Sequence, residues 1–419
     1  MATIDDNPRD AVAEPAARSL RVGAHFDTRE ALRNAQRQAQ ERKLRDMLIV
    51  DVDAHHYETD SWADIVEYLE DPVLRHLSTA GGVGKLIGQS PLLPAQAGSN
   101  QDIAGRLPRY SLRRLEQVGE GEQRDTALVK RAMQMMGIDY QILFPTPMLA
   151  LGMHPQPDVE VALARAYARW ITERVCAAEP SIKTMLYLPF NEPEAALRVV
   201  EEFAEAPGVV GFMVTAVRYK PVHHSSYMKL YRAIEETGMP LGFHAGYTWQ
   251  DRSMEQLNKF ISVHALGFAL FNMIHLTNWV INGLPERFPD LDVMWIESGL
   301  AWVPFLMQRL DSEYMMRSSE APLLQRKPSE YIRDMYFTSQ PLEYPERMDA
   351  LELTFDMIDA PSRLMYSSDY PHWDFDLPSV IYDLPFLDDT ARRAILGGNA
   401  QRLFGLDPRE IGRDDLVVP

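Results

Sequence analysis

The chain has 419 residues, of which 46% are apolar and 24% charged, with a formal net charge of −18. Its single cysteine, Cys176, excludes an intrachain disulfide framework and a cysteine-rich zinc site. The acidity argues against nucleic acid as the main partner, because phosphate binding needs a basic face.

Residues 1–24 are rich in Ala, Asp, Arg and Pro and read as a mobile tail, without the basic-then-apolar pattern of a secretory leader. The simplest compartment is the cytoplasm. Residues 28–46 carry strong helix formers and a dense charged surface, which predicts a peripheral helix.

Short apolar runs follow, at "MLIVDVD" (47–53), "DYQILFP" (139–145), "KTMLYLPF" (183–190), "VVGFMVTAV" (209–217), "PLGFHAG" (240–246), "DVMWIES" (292–298) and "LMYSSDY" (364–370). Their nearly continuous apolarity suits strands covered on both faces. Segments such as 158–176 and 192–205 between them show helical periodicity. Alternation of this kind implies parallel strands joined by helical crossovers. With an eighth strand in "DMYFTSQP" (334–341), the pattern predicts an α/β fold, a (β/α)₈ TIM-like barrel. It would carry an N-terminal helical extension and a long insertion after the first strand. A doubly wound open sheet is the rival, and no glycine-rich phosphate loop supports it.

The boundaries expected are tail and helix over 1–46, barrel over 47–407 and a C-terminal tail over 408–419. Gly-, Pro- and Ser-rich sequence within 72–133 would leave the C-terminal face of strand 1 and cover the active-site mouth, with Tyr110 in an apolar entrance. The longest apolar stretch, 264–284, contains His264, Asn272, His275, Thr277 and Asn278. Those groups are costly in lipid, so it reads as a buried helix and not a membrane span.

Polar residues recur where the predicted strands finish: Asp53 and His55, His244, Glu297, and Asp369. A barrel brings such ends to one rim. Asp53 and His55 lie two apart, so they face the same side of a strand and one ion can take both. Carboxylates and imidazoles suit one or two divalent ions of Zn²⁺, Fe²⁺ or Mn²⁺. His56 points the other way, and Glu58 is placed to orient a ligand. His275 shares a helix face with Asn272 and Trp279, as a packed side chain, a ligand or a proton shuttle. His372 follows Asp369 by three residues and could act on substrate. His154 would line the pocket, whereas His223 and His224 read as a solvated loop.

These pieces carry a resemblance. "DVDAHHYE", "GFHAG", "GLPERFPDLDVMWIESGLAWVPFLMQRLD", "YSSDYPH" and "GNAQRLFGL", spanning about 49–405, resemble the amidohydrolase superfamily. They resemble most the amidohydrolase-related branch that includes aminocarboxymuconate-semialdehyde and dihydroxybenzoate decarboxylases. The resemblance implies a metal-dependent barrel with ligands at Asp53, His55, His244 and Asp369. The first motif departs from the family's His-x-His or Glu-x-His, reading Asp53-Ala54-His55. Glu297 stands where the decarboxylases place a catalytic histidine, and a carboxylate there could hold a second ion. Superfamily members are often dimers or tetramers, which implies a homo-oligomer.

The expectation drawn from Glu297 is a metal-dependent hydrolase. Metal-activated water would attack an ester, thioester or amide of an apolar carboxylic acid, with Asp369 moving the proton and His275 or His372 assisting. The alternative is a metal-dependent non-oxidative decarboxylase of an aromatic or unsaturated acid. A barrel that binds a small-molecule ligand without chemistry is the third.

Overall fold

The computed structural model describes residues 28–80, 117–215, 220–246, 253–254, 256–257 and 260–407. Eight strands form one sheet in chain order: β1 Val50–His56, β2 Tyr140–Pro145, β3 Ile182–Tyr187, β4 Val209–Val214, β5 Leu241–His244, β6 Val293–Ile296, β7 Tyr336–Thr338 and β8 Leu364–Met365. Every neighbouring pair is parallel, with His55 beside Phe144 and His244 beside Ile296.

The continuation of β8 closes the ring. Val52 N donates to Tyr366 O (3.0 Å), His55 N to Tyr370 O (2.8 Å) and Asp369 N to Asp53 O (2.7 Å). These bonds make a (β/α)₈ barrel. Each of the eight predicted runs overlaps one of its strands. The largest shift is at β1, which starts three residues later than the predicted run and continues through Asp53 and His55 to His56.

The interior beneath the rim is packed. A Cβ on Gly242 would meet Ile296 Cδ1 at 2.7 Å and Met185 Cε at 3.0 Å, so a larger residue at that inward position would push those side-chain tips aside. On the outer layer, Phe243 and Trp295 stack with centroids 4.8 Å apart, and Trp279 meets Phe243 edge-on at 5.8 Å. Burying such aromatic rings is worth several kcal/mol each, on the order of 3–5 by truncation. Trp279 lies on the helix Phe260–Ile281, formed by the long apolar stretch. This helix is not buried all round, since Ile261, Leu266 and Ile274 are exposed. No helix among the described residues is long and apolar enough to cross a membrane.

The helix Thr28–Glu41 buries Ala31, Leu32, Ala35 and Ala39, a stripe at helical spacing. Just beyond it, Arg42 Nε donates to both carboxylate oxygens of Asp383 (2.9 and 3.1 Å), tying the start of the described chain to its last quarter. Residues 1–27, 81–116 (with Tyr110) and 408–419, where the tails and most of the insertion are expected, lie outside the described residues.

Candidate metal centre

The site begins with the pleat of β1. Asp53 and His55 lie two apart and face the barrel interior, Asp51 is buried two residues earlier, and the pairing with β2 shifts register between Asp51 and Ala54. His55 Nδ1 lies 3.1 Å from Pro145 O, and a carbonyl oxygen only accepts. Nδ1 therefore carries the hydrogen and Nε2 presents its lone pair. That Nε2 is 3.3 Å from Asp53 Oδ1 and 3.3 Å from Asp369 Oδ1. His244, at the end of β5, repeats the device: Nδ1 is 2.8 Å from Ala245 O, and Nε2 is 3.4 Å from Asp53 Oδ1.

Glu297 and Asp369 enter differently. Ile296 already faces inward beside Gly242, so a regular strand would turn Glu297 outward. Instead Glu297 adopts φ 57°, in the left-handed region, and its N–H donates to Thr338 Oγ1 (3.0 Å). Its Oε2 comes to 3.5 Å from His244 Nδ1 and its Oε1 to 4.0 Å from His372 Nδ1. Asp369 likewise has φ 58°. A left-handed backbone costs a side-chain-bearing residue roughly 1–2 kcal/mol, so both donors are held under strain.

Asp369 Oδ1 accepts from His372 Nδ1 at 2.6 Å, while His372 Nε2 lies 3.2 Å from Thr146 Oγ1. The His372 ring stacks on His55 with centroids 4.3 Å apart. Its side chain is 15% exposed, more open than the almost fully buried Asp53, His55, His244, Glu297 and Asp369.

Both oxygens of Asp53, Nε2 of His244 and Oδ2 of Asp369 are buried without a hydrogen-bond partner. Such groups are costly unless something compensates them. Donors about 2.0–2.2 Å from one cation lie roughly 3–3.5 Å apart, which the 3.3–3.4 Å separations match. Two overlapping sets of donors could hold an ion: Asp53, His55, His244 and Glu297, and His55, Asp369 and His372. The described residues thus contain a buried His/Asp/Glu group able to bind a divalent metal ion, and the oxygen–nitrogen donor set suits Mn²⁺, Zn²⁺ or Fe²⁺.

Electrostatics fit that reading. Burial would raise the Asp53 carboxyl, but the facing His244 and His55 imidazoles pull it down to about 2. Burial, reinforced by the Glu297 carboxylate, holds Asp369 well above the usual range. Burial also lowers His55 and favours its neutral, ligating form.

The remaining sequence candidates lie elsewhere. His275 packs at 5.7 Å from the Phe243 ring, on the outer side of β5, while His244 faces the barrel interior. It is outside both donor sets, its Nε2 has no hydrogen-bond partner, and burial lowers it to about 4. His56 is bound to Asp125 (2.9 Å) and Tyr167 OH (2.8 Å) and stacks on Trp170. Glu58 accepts the N–H groups of Thr146 (2.9 Å) and Met148 (2.6 Å), holding the loop that carries Thr146. His154 bonds within its own turn to Gln156, and His224 to Ser226. Thr146 was not visible as a partner of His372 in the sequence, since a threonine after a strand carries no signal of its own.

A ring of eight parallel strands with imidazoles and carboxylates gathered at their C-terminal ends defines a (β/α)₈ protein with a metal-binding mouth. More particularly, the chain belongs to the amidohydrolase family, whose model matches residues 50–406. It is similar to gamma-resorcylate decarboxylase of Rhizobium radiobacter, 24% identical over 327 residues, covering 74% of this chain and 95% of that protein. It is also similar to 2-amino-3-carboxymuconate-6-semialdehyde decarboxylase of Dictyostelium discoideum, 21% identical over 277 residues, 65% of this chain and 74% of that one. Among solved structures, 5-carboxyvanillate decarboxylase of Sphingomonas paucimobilis aligns with TM-score 0.59 at 20% identity, over 86% of this chain and all of that one. Dihydroxybenzoic acid decarboxylase of Polaromonas sp., solved with manganese and the inhibitor 2-nitroresorcinol, aligns with TM-score 0.59 at 19% identity, over 87% and 99%.

These relatives overturn the expectation of a hydrolase acting on an ester, thioester or amide. That expectation rested on reading Glu297, in place of a catalytic histidine, as a ligand for a second ion. The physical reason for the error is that oxygen and nitrogen donors around a cation serve equally to activate water or to grip a substrate carboxylate. Zinc and iron gain no support, since manganese is the metal named with these neighbours.

Proposed function

We propose that the protein is an enzyme, a metal-dependent non-oxidative decarboxylase of an aromatic or unsaturated carboxylic acid. Asp53, His55 and His244 would hold the ion, with the carboxylates of Glu297 and Asp369 completing the donor set. A divalent ion held there would supply positive charge to favour the substrate's carboxylate and the negative charge that develops in the reaction.

The observation that carries the reading is the His372–Asp369 pair, joined at 2.6 Å at the open side of the donors. Thr146 and Asp369 hold the two nitrogens of His372, so the ring is fixed in place and orientation. The pair passes a proton to the carbon that bears the carboxylate. The carbon–carbon bond then breaks, its electrons return to the substrate's π-system, and carbon dioxide leaves. No oxidant is needed. Phe144, 6.0 Å from His55 and 5.2 Å from His244 by centroids, and Tyr57, 6.4 Å from His372, supply aromatic walls for a flat substrate.

The test is turnover of a panel of hydroxybenzoic and unsaturated carboxylic acids by manganese-loaded protein in deuterated water. The expected result is carbon dioxide, with one deuterium on the carbon that lost the carboxylate. Absence of carbon dioxide across aromatic and unsaturated acids would overturn the proposal.

A further inference from the structure

Asp51 is fully buried in β1, two residues before Asp53, and the proposed reaction does not use it. Other interior positions of the barrel, Met185 and Ile296 around Gly242, are apolar. A carboxylate in such an interior costs free energy that an apolar side chain would not. Its hydrogen bonds show what it holds. Oδ1 accepts from Ser368 N (2.8 Å) and more weakly from Asp53 N (3.3 Å), and Oδ2 accepts from Ser368 Oγ (2.5 Å) and Gln141 Nε2 (2.8 Å). Ser368 Oγ in turn accepts from Tyr370 N at 3.0 Å. Both neighbours of Asp369 are therefore pinned through one serine to one carboxylate. Asp369 N itself is bound to Asp53 O (2.7 Å).

We infer that Asp51 is a positioning residue for the metal centre, which through Ser368 locks Asp369 in its left-handed conformation with its carboxylate beside His55 Nε2. This rests on reading the donor cluster as a metal centre. A strained backbone persists only where its surroundings over-determine it. Here three hydrogen bonds do so, two from Ser368 to Asp51 and one from Tyr370 to Ser368. Asp51 touches neither the ion nor the substrate in this account; it acts by orienting a residue that does.

The test is calorimetric titration of metal-stripped protein with Mn²⁺, for wild type, Asp51→Asn, Ser368→Ala and the double variant. Loss of a group that orients a ligand weakens metal binding about 10–100-fold. That loss is expected in both single variants at unchanged stoichiometry. Because one chain of contacts carries both effects, the double variant should be no more than about twofold weaker than Asp51→Asn. Leu163→Ala, a buried cavity variant on the helix Pro157–Trp170, controls for lost stability and should keep wild-type affinity despite a lower melting temperature. Wild-type affinity in Ser368→Ala would overturn the inference, even should Asp51→Asn fail to fold. So would additive losses in the double variant, or an equal loss in Leu163→Ala. A wild type that takes up no Mn²⁺ would instead overturn the metal-centre reading, and the inference with it.

Discussion

At the end of β1 the donors follow the ordinary pleat: Asp53 and His55 face inward because they alternate with Val52 and Ala54. At the ends of β6 and β8 the donors defy it. Glu297 and Asp369 reach the same centre only through left-handed backbone, fixed by Thr338 on one side and by Ser368 with Asp51 on the other. The difference teaches that one half of the site is written in strand periodicity. The other half depends on tertiary hydrogen bonds that force an unfavourable conformation.

The comparison can be broken or sharpened by substitution. Asp369→Asn should have the largest effect, with kcat down by about 10³-fold or more, because it removes both a donor and a member of the proton-delivering pair. Steady-state kinetics with a substrate found in the panel would check it. His372→Gln should lower kcat by about 10²-fold with KM little changed, since it removes proton delivery and leaves Asp53, His55 and His244 in place. An unchanged kcat would remove His372 from the reaction.

His275→Leu tests the outer layer against the rim. Burial lowers His275 to about 4, below its ordinary value of 6.5. The unfolded chain therefore binds a proton that the folded chain refuses, and wild-type stability is lost as pH falls from about 6.5 towards 4. The variant should keep full activity. It should gain about 1–2 kcal/mol on wild type at pH 5 relative to pH 8, read by urea denaturation. The smallest effect is expected for Glu297→Gly. Glycine accepts positive φ without penalty, so the metal-free variant should be about 1 kcal/mol more stable than wild type in chelator, while binding Mn²⁺ more weakly. The matching change at His55, where no such strain exists, should give no stabilisation.

The same contrast marks how far the sequence could be read. The eight strands were legible because barrel strands buried on both faces are nearly continuous apolar runs. The predicted end of β1 fell at Asp53 because inward polar residues look like a strand exit. The strand runs on to His56, because His55 and His56 continue the parallel pairing with Phe144 and Pro145 of β2. Asp51 precedes Asp53 by two residues in the sequence, but nothing in the residues around it marks a carboxylate below the rim as a positioning group. The helical spacing of His275 with Asn272 predicts a shared face, but spacing cannot say which side a helix turns to the barrel. Asn272 instead bonds the Phe243 carbonyl at 3.2 Å, and His275 packs on the Phe243 ring. The left-handed turns at Glu297 and Asp369 left no trace, because neither is glycine. The choice between hydrolysis and decarboxylation was illegible because both draw on one set of donors.

The most direct test of the account is the metal content of wild-type protein, purified without chelator and dialysed against Mn²⁺, beside His55→Ala. The account predicts at least one tightly held divalent ion per wild-type chain, lost in the variant. A wild type without stoichiometric metal, or a variant that retains it, would contradict the claim that β1, β5 and β8 meet around a cation.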